Sequence, residues 1–170
     1  MGGMTLLGRK TATIAVALLV ALGVAACQPT APPAAAPPAA SGAPSDAFTS
    51  QLFDALNADR TGAGLPAFSW NASLASKASA WAQQMSNANS LYHQNLSALL
   101  GLPEFAGFRT LGENIMVGPG SMSAASIEAA WKGSAPHWAN ITNRAFNLVG
   151  IGYFRGPDGR IWAVQDFGGV

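Results

Sequence analysis

The sequence predicts an α+β domain in which helices precede a small antiparallel sheet. Three observations carry this. Apolar residues at a 3.6-residue period mark helices in the first half of the region 46–170. Two β-rich runs, Leu148 to Phe154 and Ile161 to Phe167, are joined by Gly156-Pro157-Asp158-Gly159, a strong hairpin signal. One cysteine in 170 residues excludes an internal disulfide framework and any Cys-rich zinc site, so the core has to hold the fold.

The elements follow in order. Ser45 or Asp46 can cap a first helix with apolar positions Phe48, Leu52, Phe53 and Leu56, ending near Arg60 before Gly62 and Gly64. Leu65 to Trp70 reads as a short extended piece, because Pro66 restricts its neighbours. Asn71 caps a second helix whose stripe is Leu74, Ala78, Trp81, Ala82 and Met85, with Lys77, Gln83 and Gln84 outside it. Between Asn87 and Thr110 the pattern loosens into a short helix over Asn95 to Leu100 and a loop to Phe108. Leu111 to Val117 reads as a strand, stopped by Gly118-Pro119-Gly120. Ser123 caps a third helix through Ile127, Ala130 and Trp131. Ser134 caps a short fourth, with Pro136 in its first turn where the missing N–H does no harm. No internal repeat is visible.

The first 45 residues are not part of this domain. Arg9 and Lys10, an apolar stretch from Thr11 to Leu22, and Gly23-Val24-Ala25-Ala26 read as a signal peptide over residues 1–26. The alternative is a retained anchor, but an apolar stretch of about 16 residues falls short of the roughly 20 that a spanning helix needs. Val24-Ala25-Ala26-Cys27 resembles the bacterial lipobox, in which Cys27 becomes a lipidated N-terminus; Val24 stands where Leu is usual. Plain secretion is the other alternative. Gln28 is not the aspartate that retains lipoproteins in an inner membrane, so outer-membrane sorting follows in an organism with two membranes. Residues 27–45 form a Pro/Ala-rich linker holding six of the eleven prolines. At about 3.1 Å per residue in polyproline II, it is a semi-rigid spacer on the order of 50 Å long.

Composition narrows the partners. Nine Lys and Arg against eight Asp and Glu give a formal net charge of +1, and only 10% of residues are charged. Losing Arg9 and Lys10 with the signal leaves seven against eight, a formal −1. No basic cluster is present to neutralise phosphates, so nucleic acid is excluded as the main partner. A monomer is expected.

Histidine is scarce: the chain has only His93 and His137. Each is read most simply as a hydrogen-bonded structural side chain. Two imidazoles on different segments, with Glu113 between them in the chain, would nevertheless make an acceptable zinc or copper site if they converged. No HExxH, GxSxG or dinucleotide fingerprint occurs, and Gly150, Gly152 and Gly156 do not supply the last. Ser134 and His137 lie three apart, but Ser134 reads better as a helix cap. The three Asn-x-Ser/Thr sequences at Asn71, Asn95 and Asn140 are coincidental in a bacterial lipoprotein.

Leu56-Asn57-Ala58-Asp59-Arg60, Gly64-Leu65-Pro66, Trp70 and Leu74 resemble the first motif of the CAP superfamily. This superfamily takes in cysteine-rich secretory proteins, venom antigen 5 and plant pathogenesis-related proteins. The likeness continues through Tyr92-His93, Leu111-Gly112-Glu113-Asn114-Ile115, Trp131 and Ser134-Ala135-Pro136-His137-Trp138-Ala139-Asn140-Ile141. It ends on Val149-Gly150-Ile151-Gly152 and Trp162-Ala163-Val164-Gln165-Asp166-Phe167, and so covers essentially 46–170.

The resemblance, to the short bacterial type, implies an α-β-α sandwich around a central antiparallel sheet, here without disulfides. It implies that His93, Glu113 and His137 line one cleft, with Asn114 and Ser134 as neighbours. Many animal and plant members have a second glutamate three residues after a Trp. Here that position, three after Trp131, is Ser134. A divalent metal such as zinc would therefore be held weakly, with water completing its shell.

Three functions are compatible with this. The first is a non-catalytic envelope module that binds a lipid, glycan or peptide in the cleft. The second is a metal-assisted hydrolase using His93, His137 and Glu113. The third is a structural or signalling surface protein with a vestigial cleft. Tyr92, Phe108 and Trp138 are candidate ligand-facing aromatics.

Overall fold

The structure, a computed structural model, describes residues 1–2 and 41–170. The fold is built by residues 41–170. The signal peptide, Cys27 and the linker as far as residue 40 lie outside the described residues. No helix among the described residues is long and apolar enough to cross a membrane. The end of the linker is tied to the domain: Ser41 N donates to Trp70 O at 2.9 Å, and Ala72 N donates to the Ser41 hydroxyl at 3.2 Å.

Asp46, rather than Ser45, starts helix α1 (Ala47–Gly62). Its carboxylate accepts from Phe48 N and Thr49 N, both at 3.0 Å, and so satisfies two of the backbone donors left open at a helix start. A two-residue strand β1 (Ser69–Trp70) leads into α2 (Ala72–Ala88), capped by Asn71 through Leu74 N at 3.0 Å. Asn89 closes α2 in the left-handed conformation, φ 49°. α3 (Leu96–Leu99) is shorter than its predicted span, and the predicted loop after it contains a 3₁₀ turn, Pro103–Phe105. Then come β2 (Thr110–Pro119), α4 (Ala124–Lys132), α5 (Ala135–Ile141), β3 (Leu148–Arg155) and β4 (Arg160–Gly169).

The strand order is β1-β3-β4-β2. β2·β4 and β3·β4 are antiparallel, as expected, but β1 runs parallel to β3. The sheet is therefore mixed, and only at its edge. A tight turn forces consecutive strands antiparallel, whereas β1 is separated from β3 by most of the domain and carries no such constraint.

Side chains alternate across the sheet and divide the core in two. Ile115, Trp162 and Val164 meet Ala78, Ala82 and Met85 of α2. On the other face Val149, Ile151, Ile161, Ala163 and Phe167 meet Leu52 and Leu56 of α1, Ile127 and Trp131 of α4, and Ile141 of α5. The result is the α-β-α sandwich.

Two features set its dimensions. A Cβ on Gly150 would lie 2.0 Å from Ala75 N, and one on Gly152 2.1 Å from Ser79 N, so α2 lies directly on the backbone of β3. On the opposite face, buried Arg60 donates to Pro66 O, Ile141 O and Phe146 O at 2.7 Å each and to Asn143 O at 3.1 Å. Its guanidinium also stacks over Phe68, 3.7 Å from the ring centroid. The end of α1 is thereby fixed to the segment that follows α5.

Candidate functional site

Pairing of β2 with β4 sets Glu113 opposite Asp166 and Asn114 opposite Gln165. Alternation then sends Glu113 and Asp166 to the α2 face, with Ile115, and Asn114 and Gln165 to the α4/α5 face. β2 is an edge strand, so groups on its two faces can meet around that edge.

On the α2 face, His93 Nδ1 lies 2.6 Å from Glu113 Oε1. The His93 side chain is 60% exposed, while that of Glu113 is 0% exposed. Gln94 N donates to Glu113 Oε1 at 3.0 Å and Gln94 Nε2 to Oε2 at 2.6 Å. With donors on both oxygens, the Glu113 carboxyl acts as the acceptor, so His93 Nδ1–H is the donor of this contact. Gln94 Nε2 also lies 3.1 Å from each Asp166 oxygen. Burial, with the charge of Glu113 adding to it, pushes the Asp166 carboxyl well above the usual carboxylate range.

On the α4/α5 face, Asn114 Nδ2 donates to His137 O at 3.1 Å and to Gln165 Oε1 at 3.0 Å. Asn140 Nδ2 donates to Asn114 Oδ1 at 2.9 Å and to Glu113 O at 3.0 Å. His137 is half-buried, and its Nδ1 has no hydrogen-bond partner. Burial, and secondarily the charge of His93, lower the His137 pKa. Ser134 occupies the first position before α5 but makes no capping bond through its side chain. The helix start is stabilised instead by Pro136 in its first turn.

Thus Glu113 directly engages His93, and Asn114 holds the backbone of His137. Among the described residues, no group of three or more His, Cys, Asp or Glu side chains is placed to hold a metal ion. Of the aromatics, Tyr92 is exposed and meets Trp81 edge-on at 4.9 Å. Trp138 is half-buried, and Phe108 is buried in the core.

Sequence reasoning missed Gln94, Asn140, Glu128, Gln165 and Asp166. One signal was available for the last two. Gln165-Asp166 interrupts the otherwise apolar run from Ile161 to Phe167, and polar groups on both faces of a covered strand need partners.

A three-layer domain with a carboxylate-held histidine at an edge strand defines a CAP-type fold. The sequence matches the family described as the Cysteine-rich secretory protein family, CAP, over residues 53–167, and the chain belongs to that family. No curated protein matches the sequence. Among solved structures, an extracellular SCP-domain protein from Bacillus anthracis is 25% identical, with TM-score 0.59 and 72% of this chain covered. This chain spans 40% of that protein's length. A cysteine-rich secretory protein from Staphylococcus aureus has TM-score 0.57 at 19% identity, over 75% of this chain and 40% of its own. An outer surface protein of Borrelia burgdorferi has TM-score 0.61 at 15% identity, over 69% and 89%. The last two show the fold alone.

Proposed function

We propose that this protein is an extracytoplasmic CAP module, anchored through a lipid on Cys27, that binds a ligand at the His93–His137 cleft without transforming it. The observation that carries this reading is the 2.6 Å His93–Glu113 contact, which orients a largely exposed imidazole. Exposed Leu91 and Tyr92 beside it favour a ligand with both apolar and hydrogen-bonding surface, a glycan or peptide over a bare acyl chain. Among the described residues no hydroxyl bonds to either imidazole, which supports binding over nucleophilic catalysis. The similar protein from Bacillus anthracis, which is extracellular, supports the location.

Zinc is the simplest probe of the cleft. His93 and His137 would hold it, with Glu113 orienting His93, and the metal would supply a positive centre for an anionic or carbonyl-bearing ligand. Calorimetry on the full chain should show weak zinc binding that is lost in both His93→Ala and His137→Ala. Glu113→Gln should weaken it about tenfold to a hundredfold, as expected for a group that orients a ligand from behind. Equal heats in wild type and both histidine variants would remove the cleft from consideration. Anchoring has its own test: Cys27→Ala should move the protein from the membrane to the soluble fraction of a cell extract, and unchanged membrane association would rule out the lipid tether.

A further inference from the structure

Glu128 lies on α4 with its side chain buried against the sheet. Gln165 Nε2 donates to its Oε2 at 2.7 Å, while its Oε1 has no partner. Gln165 passes the contact on, because its Oε1 accepts from Asn114 Nδ2 at 3.0 Å. The same Asn114 nitrogen donates to His137 O, and Asn114 Oδ1 accepts from Asn140 further along α5. One continuous set of hydrogen bonds therefore joins the buried carboxyl on α4 to both ends of the short helix that carries His137.

We propose that Glu128 is a positioning residue for the cleft: through Gln165 and Asn114 it holds α5 and His137 in place, and loss of its proton loosens that hold. A neutral carboxyl tolerates an unpartnered oxygen in an apolar setting far better than a carboxylate does, because the uncompensated charge costs several times more to bury. The nearby charges do not remove that cost. Asp59 on α1 faces Glu128 with the same sign, and Lys132 on its own helix is paired with Asp59 at 2.5 Å. β4 contributes only the neutral Gln165. Burial accordingly pushes the Glu128 pKa up to about 8, with the Gln165 hydrogen bond opposing and Asp59 adding. Folding thus retains a proton that the unfolded chain has already released, so stability falls as pH rises from the ordinary glutamate value of 4.5 toward about 8. The functional weight of the residue rests on the cleft reading above, but its effect on α5 is measurable without any ligand.

Hydrogen-exchange mass spectrometry on the full chain between pH 6 and 9.5 reads that effect. After correction for the intrinsic pH dependence of exchange, α5 peptides should exchange about tenfold faster per pH unit up to a midpoint near 8 and level off above it while α2 stays protected, as expected for opening that releases one proton only while the closed state still holds it. Glu128→Gln, neutral at every pH, should abolish the midpoint. Asp59→Asn, which keeps the carboxyl and removes the repelling charge, should move it to lower pH. Wild-type α5 with no transition, a midpoint that survives Glu128→Gln, or one that Asp59→Asn leaves in place would each overturn the proposal. Failure of zinc binding with this transition intact would instead count only against the cleft as a ligand site.

Discussion

Gly150→Ala destabilises the domain by at least about 3 kcal/mol, the upper range for overpacking a well-packed core. The new Cβ would sit 2.0 Å from Ala75 N, 2.3 Å from Leu74 C and 2.6 Å from Leu74 Cβ. Two of these are backbone atoms of α2, so no side-chain rotation relieves the clash. The helix must move away from β3, opening the layer made by Ala78, Ala82 and Met85 against Ile115, Trp162 and Val164. Gly152→Ala meets Ser79 N at 2.1 Å and should behave alike, one turn further along the helix. Urea denaturation followed by tryptophan fluorescence measures the loss. A cost below about 1 kcal/mol for both would mean that α2 and β3 are further apart than described. Against a total stability of about 5–15 kcal/mol, either change alone is serious.

Arg60→Ala should cost about 3–5 kcal/mol, in the range of breaking a buried charged group out of its hydrogen-bonded setting. The side chain donates to four carbonyls and stacks on Phe68, and its buried neighbours would keep their acceptors without donors. Arg60→Lys separates geometry from charge. A single ammonium cannot reach carbonyls that the planar guanidinium spans, so lysine should recover only part of the loss. Full recovery by lysine, read by thermal unfolding, would refute the pinning role. Because Ile141 O belongs to the last residue of α5, the same change should also raise hydrogen exchange in that helix.

Much of the fold was legible in the sequence because local rules decide it. Asp46, Asn71 and Ser123 are short polar side chains before apolar periods, and all three accept the capping bonds their types predict. Gly156-Pro157-Asp158-Gly159 turns β3 into β4 because those residues fit a tight turn. Ser134 had the right residue type and position for a cap, yet its side chain makes no such bond. The parallel pairing of β1 escaped prediction because strand direction at a sheet edge depends on partners far away in sequence. The candidate site was legible as types: two histidines and a glutamate in family order. Its arrangement was not, since the contact of Glu113 with His93 and the hold of Asn114 on the backbone of His137 depend on segments distant in sequence.

The sequence by itself determined where helices and the hairpin lie and that no internal disulfide holds the fold. Each of these follows from neighbours along the chain or from composition. Only the tertiary structure decided why Gly150 and Gly152 are glycines, where Arg60 spends its charge, and how Glu128 reaches His137. Those depend on atoms brought together across 37 to 86 positions of chain, as between Glu128 and Gln165 or Arg60 and Phe146. Burial gives each contact its energy, and burial exists only once the layers have closed.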